Sequence, residues 1–89
     1  MELRDTVEMM LNDDYKERFR AEYYQVVIRY NKLSKMLIDW RAGKLDFKPA
    51  CPRHVLECQL GEMLGYICLL EERALIEKID ISELDMEPF

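Results

Sequence analysis

Two runs of apolar residues at helical spacing, separated by one group of helix breakers, constrain the fold of this chain most. In the first run, the apolar side chains three, four or seven residues apart are Tyr15, Phe19, Val26, Tyr30, Leu33, Leu37 and Trp40. In the second run, they are Val55, Leu56, Leu60, Met63, Ile67, Leu70 and Ala74. Between the runs, the segment AGKLDFKPACP contains the breakers Gly43, Pro49 and Pro52. This pattern predicts an all-α fold built on a long antiparallel helical hairpin.

Capping residues set the expected limits of the two helices. Asp14, with Glu17 three residues later, resembles a capping box at the start of the first helix, and Asp13 is an equally good candidate for the cap. Gly43 follows the last apolar residue, where a left-handed residue commonly ends a helix, so we expect this helix over residues 14–42. Pro52 suits the first turn of the second helix, which we expect to end near Ile79.

The chain outside the hairpin consists of two acidic segments. The predicted division is an N-terminal arm over residues 1–13, a hairpin domain over 14–79 and an acidic C-terminal tail over 80–89. A short amphipathic helix in the arm would present Leu3, Val7, Met10 and Leu11. We expect the tail to be poorly ordered or docked on a neighbouring subunit.

The uneven charge limits the classes of partner. The formal net charge is −5, with −4 in residues 1–14, +6 in 15–53 and −7 in 54–89. An acidic exterior argues against a protein that binds duplex DNA or RNA, whereas a local basic strip can hold a small anion. No apolar run approaches the roughly 20 residues that cross a membrane. The three cysteines do not form a disulfide framework, which favours a reducing cytoplasm.

Apolar residues outside the two runs predict self-association. On the first helix these are Tyr24, Val27, Ile28 and Ile38, and on the second they are Leu69, Leu75 and Ile76. A helix that is apolar over more than one stripe needs a second packing partner. In addition, a chain of 89 residues forms only a small core of its own. We therefore expect a homo-oligomeric helical bundle.

Polar side chains beside the core stripes are the candidate ligand-binding residues. Arg18, Gln25, Arg29 and Lys32 align along one edge of the first helix, and Gln59, Tyr66 and Arg73 repeat every seven residues on the second. Guanidinium groups match phosphate oxygens in a bidentate manner, so this edge could bind phosphate. The alternative is a solvated helix face paired with acids of the other helix. In an antiparallel hairpin, Arg73 comes close to the start of the first helix.

Aromatic and metal-ligating residues point less directly to a function. Tyr15, Tyr30 and Trp40 fall on the first core stripe, and most of the aromatic residues are expected to pack in the core, although rings at the edges could stack on a base. Cys51, His54 and Cys58 share a helical face, but no fourth ligand stands at zinc spacing. No third side chain is available to orient a catalytic pair. The sequence also lacks a glycine-rich phosphate-binding loop. We expect no metal, no cofactor and no enzymatic activity.

Two segments together resemble a known family. RFRAEYYQVVIRYNKLSKML matches its first helix, and QLGEMLGYICLLEER matches its second, with Gln59, Met63, Tyr66, Leu70 and Arg73 at the family's spacing. The family is the phage-encoded hairpin-domain sponges that take up cyclic nucleotide signals, among them anti-CBASS and anti-Thoeris proteins. The resemblance covers residues 15–76.

The resemblance implies a homo-oligomer, often hexameric, with ligand pockets between subunits. Members bind cyclic dinucleotides, cyclic trinucleotides or cyclic ADP-ribose isomers without cleaving them, which deprives defence effectors of their signal inside the infected bacterium. Some members use a tyrosine at the start of the first helix and a lysine about four turns later. The nearest counterparts here are Tyr15 and Lys32, at a spacing that differs by two residues, with Asn31 as an alternative to the lysine.

Two other classes of function also fit the residues. A helical module that binds a host or phage protein would use the apolar surplus and the acidic tail. A coiled-coil adaptor with a purely structural role would bind no ligand.

Overall fold

This computed structural model describes residues 1–82 of the chain, which contain four helical segments. A 3₁₀ turn over Leu3–Thr6 leads into the short helix α1 over Val7–Met10. Two long helices follow, α2 over Tyr15–Arg41 and α3 over Arg53–Glu77. The described chain contains no strand, so the predicted all-α class is confirmed.

The ends of α2 follow from the residues that cap it. The Asp14 side chain accepts a hydrogen bond from the Lys16 amide at 2.9 Å, which satisfies one of the free donors of the first turn. After Arg41, Gly43 adopts φ +71°, a left-handed conformation that a residue without a side chain tolerates. The helix expected over residues 14–42 is therefore confirmed to within one residue at each end.

Helix α3 ends with a lysine where a glycine is common. Lys78 has φ 59° and ψ 47°, the left-handed conformation of a C-terminal cap. The following Ile79 amide donates to the Ala74 carbonyl at 2.9 Å, and the Ile79 side chain is buried. The turn thus ends the helix at Glu77, two residues before the predicted end, because Ile79 has folded back onto the core.

Contacts between side chains show that α2 and α3 run antiparallel. The Tyr23 hydroxyl near the start of α2 donates to Glu71 near the end of α3 at 2.8 Å. At the other end of the pair, Arg41 lies 3.4 Å from Glu57. The hairpin therefore has a corner end, at the loop between the helices, and an open end, at the start of α2 and the end of α3.

The core lies in the half of the hairpin nearer the open end. Its buried members are Phe19, Tyr23, Tyr24, Val27, Ile28, Ile67, Leu70, Ala74 and Ile79. Nearer the corner, the buried side chains within residues 1–82 are Ser34 and Leu37. The predicted α3 stripe is confirmed from Leu56 onward, whereas Val55 is exposed.

The expectation that Tyr24, Val27 and Ile28 face another subunit is wrong. All three are at most 5% exposed within their own chain. The N-terminal segment packs on α2, and its Leu3 and Met9 pack against this core. The other expected outward residues, Ile38, Leu69, Leu75 and Ile76, are exposed.

The N-terminal arm buries a different face from the one predicted. Thr6 is fully buried and Leu3 and Met9 are half-buried. The predicted apolar residues Val7, Met10 and Leu11 are exposed. The 3₁₀ turn, with three residues per turn, brings Leu3 and Thr6 onto one side, and Met9 follows Thr6 by three residues in α1.

The tail prediction is tested only at its start. Ile81 is half-buried and packs against the core, so the first residues of the segment 80–89 lie on their own hairpin. Residues 83–89 lie outside the described part of the chain. In residues 1–82, no helix combines the length and hydropathy needed to span a membrane.

Candidate functional site

A cluster at the open end joins the start of α2 to the end of α3. The Arg73 guanidinium donates to the Tyr15 hydroxyl at 2.9 Å and to Glu77 at 3.4 Å. The Tyr15 hydroxyl in turn donates to Glu77 at 2.9 Å. The guanidinium carbon also lies 4.9 Å from the centre of the Phe19 ring, a cation–π distance. These contacts confirm that Arg73 meets the start of α2, and they hold its side chain in one orientation.

Two further tyrosine–glutamate pairs link the helices. Tyr66 of α3 donates to Glu22 of α2, and this hydrogen bond, with burial, raises the pKa of Tyr66. Burial, reinforced by the bond to Glu71, raises the pKa of Tyr23. Both shifts favour the neutral hydroxyl, because the neighbouring carboxylates would repel a phenolate.

The contacts define one face of the hairpin with a seven-residue repeat on both helices. Tyr15 pairs with Arg73, and seven residues further along each helix Glu22 pairs with Tyr66. The same seven-residue spacing continues to Arg29 on α2 and to Gln59 on α3, because seven residues make about two turns of each helix. The resulting seam face consists of Tyr15, Glu22 and Arg29 of α2 and Gln59, Tyr66 and Arg73 of α3. It contains five of the eight residues proposed from the sequence, and contacts between the helices are seen for Tyr15, Tyr66 and Arg73.

Two of the other proposed residues contact the N-terminal arm. Arg18 donates to the carbonyl oxygens of Asn12 and Asp13, both at 2.8 Å. The Gln25 amide donates to the buried Thr6 hydroxyl at 2.8 Å. Arg18 and Arg73 therefore each have hydrogen-bond partners within the described chain.

The remaining proposed residue, Lys32, is exposed on α2, one turn from Arg29 of the seam face. Within residues 1–82, neither side chain forms an ion pair. Gln59 is also exposed. The two cations are therefore accessible to a ligand.

The sequence pattern did not identify the corner between α2 and α3 as a candidate site, because its glycine and prolines were interpreted only as helix breakers. Residues 40–57 carry four lysines or arginines against two carboxylates, together with Trp40 and Phe47. Helical periodicity gives no signal in a loop. The local density of cations and aromatic residues could have singled this segment out.

Comparison with known proteins places the chain in a family. The Sequestin family model matches residues 13–76, more than two thirds of the chain. No curated protein and no solved structure matches it. The match spans α2, the corner and nearly all of α3, and so includes the whole seam face. The chain belongs to the Sequestin family.

Proposed function

We propose that this protein binds and sequesters cyclic nucleotide second messengers without cleaving them, as an anti-defence protein in the cytoplasm of an infected bacterium. The messengers would be cyclic dinucleotides, cyclic trinucleotides or cyclic ADP-ribose isomers. The family name indicates sequestration of a ligand. The observation that carries the proposal is the seam face, which combines tyrosine rings with arginines within the matched region.

The seam face offers the chemistry that such a ligand needs. A cyclic nucleotide presents phosphates, which pair with guanidinium groups, and bases, which stack on aromatic rings. Arg73 is fixed by Tyr15 and Glu77, and its side chain remains 47% exposed. Arg29 is exposed near the middle of α2 and supplies a second cation. Sequestration requires only these binding contacts and no reacting group.

Oligomerisation is part of the proposal because α3 has an uncovered outer face. Leu69, Leu75 and Ile76 are 61%, 81% and 71% exposed. Gly61 and Gly65 lie on the same side, with open space where a side chain would stand. A second helix could approach closely there. We propose that copies of the chain associate through this face, in a hexamer as the family resemblance implies, with ligand pockets between subunits.

Calorimetric titration of the purified protein with cyclic di-AMP, cyclic tri-AMP and a cyclic ADP-ribose isomer tests the binding. We expect at least one to bind and to be recovered intact after the protein is denatured. Arg29→Glu should weaken this binding by about 2–4 kcal/mol, because it removes a charge-assisted contact and adds repulsion. Arg4→Glu is the matched control, since Arg4 is an exposed arginine on the N-terminal arm. Equal losses in both variants would contradict a role for the seam face.

Light scattering tests the oligomer separately. A mass several times 10.7 kDa is expected, and Leu69→Glu should reduce it. A monomer that binds none of the three ligands would instead support a protein-interaction module, which the exposed α3 face also fits.

A further inference from the structure

A cavity of about 320 Å³ lies at the hairpin corner, away from the seam face contacts described above. It is lined by Trp40, Gly43, Leu45, Phe47, Lys48 and Pro49. Gly43 turns the chain at the end of α2, and its amide donates to the Trp40 carbonyl at 3.1 Å. The volume is at the lower end of the range for small-ligand pockets, about 300–1,000 Å³.

Cations surround this cavity in excess of acids. Arg41 and Arg53 share one carboxylate, Glu57, at 3.4 and 3.2 Å. Within residues 1–82, Lys44 and Lys48 form no ion pair. The other local acids are Asp46 and Asp39, whose backbone carbonyl accepts from the Lys44 amide at 2.8 Å. Four cations therefore stand against three acids, and the corner keeps a small positive charge in a chain whose net charge is −5.

Aromatic rings accompany these cations. The Arg53 guanidinium carbon lies 5.9 Å from the centre of the Trp40 ring. Phe47 is 55% exposed although it lines the cavity. An exposed phenylalanine contributes little to the fold but offers a surface on which a planar ring can stack.

We infer that the corner cavity is a second binding site, for a ligand that joins an aromatic base to a phosphate group. Lys48 would contact the phosphate, and Phe47 and Trp40 would contact the base. This inference rests on the proposed function in one respect, namely that the ligand is a nucleotide and not another aromatic anion. The overall acidity of the chain favours a small nucleotide over a nucleic-acid strand, because a long polyanion would also meet the acidic end.

Trp40 is the only tryptophan in the chain, so its fluorescence reports on this cavity. The experiment is a titration of the full chain with ADP, with adenosine and with pyrophosphate. We expect ADP to change the Trp40 fluorescence saturably and to bind more tightly than either half-ligand. A linear response to ADP, without saturation, would overturn the inference.

Three variants assign the effect to the corner. Lys48→Glu should weaken ADP binding by about tenfold or more, because it removes a charge-assisted contact. Phe47→Ala should also weaken it, without changing the charge. Lys16→Glu makes the same change in charge at the open end. It should change the ADP affinity by no more than about twofold, because surface charges are screened beyond about 10 Å. Equal ADP affinity in wild type and Lys48→Glu, with unchanged melting temperatures, would overturn the assignment.

The results separate this inference from the proposed function. Cyclic nucleotide binding that depends on Arg29, with no saturable response of Trp40 to ADP, would sustain the proposed function and refute the corner site. Saturable ADP binding that depends on Lys48, with no binding of cyclic nucleotides, would sustain the corner site and refute the proposed function.

Discussion

The two ends of the helical hairpin differ in both burial and charge. The open end holds nearly all of the buried core, and residues 71–82 carry four acids against two cations. The corner end buries few side chains among the described residues, and residues 41–57 carry four cations against two acids. One end can therefore maintain the fold while the other exposes aromatic and cationic groups at little cost in stability.

The difference arises from the segments that flank the hairpin. At the open end, the N-terminal arm packs on α2, and Ile79 and Ile81 fold back against the same core. Two long helices alone would leave Tyr24 and Val27 exposed, since these residues are off the stripe that faces α3. The flanking segments complete a core that the hairpin cannot complete by itself.

The sharpest test of this comparison is one leucine-to-alanine change in each half. Leu70, at the open end, is 1% exposed, and Leu70→Ala should lower the free energy of unfolding by about 2–5 kcal/mol. Leu60, nearer the corner, is half-buried, so Leu60→Ala should cost less. Denaturant unfolding measures both. Equal losses would show that the core extends evenly along the hairpin.

A second test concerns the attachment of the arm. The buried Thr6 hydroxyl donates to the Leu3 carbonyl at 2.7 Å and accepts from Gln25 at 2.8 Å. Thr6→Val removes both bonds and leaves their partners unsatisfied, at a cost of about 1–3 kcal/mol in the free energy of unfolding.

Gln25 and Gln59 form a matched pair for the same test. Gln25→Ala should destabilise the chain by about 1 kcal/mol through the lost bond to Thr6, whereas Gln59→Ala, at an exposed position, should have little effect. If Gln59→Ala proved the more destabilising of the two, Gln25 would not hold the arm.

Part of this fold could be predicted from the sequence because helices leave a periodic signal. The Asp14 cap, Gly43 and the apolar stripe of α3 predicted the bounds of the two long helices to within about two residues. The arm was harder, because a 3₁₀ turn places Thr6 rather than Val7 toward the core. Tyr24 and Ile28 were assigned to a subunit interface because periodicity shows that a face is apolar but not which segment covers it.

The candidate site was predictable only in part for a similar reason. The seven-residue repeats of the two helices placed Tyr66 and Arg73 correctly beside α2, since regular spacing fixes which residues align. The roles of Arg18 and Gln25 depend on where the arm folds, which no local pattern determines. The cavity beside Trp40 depends on the path of a loop that has no repeat.

A third test uses pH at the open end. The pKa of tyrosine in an unfolded chain is about 10. In the folded chain, the pKa values of Tyr23 and Tyr66 are raised above it. The unfolded state therefore loses these protons first as the pH rises. The stabilisation is complete below about pH 10 and declines as the pH rises toward the folded pKa values. Urea unfolding at several alkaline pH values should show this decline.

The variant with Tyr23→Phe and Tyr66→Phe is the control for the pH test. It lacks both hydroxyls, so its stability should decline less steeply above about pH 10. An equally steep decline would mean that groups other than these two hydroxyls cause the loss of stability at alkaline pH.

The smallest expected effect is a gain in stability at the end of α3. Lys78 adopts φ 59°, where a side chain crowds the backbone and glycine does not. Lys78→Gly should raise the free energy of unfolding by about 0.5–1 kcal/mol, because relief of this strain exceeds the added flexibility of the unfolded chain. Lys35→Gly should do the opposite and cost about 1 kcal/mol, since Lys35 is an exposed residue in the interior of α2. Thermal unfolding of both variants checks the signs. A loss of stability in Lys78→Gly would mean that contacts of the lysine side chain outweigh the strain at the turn that folds Ile79 onto the core.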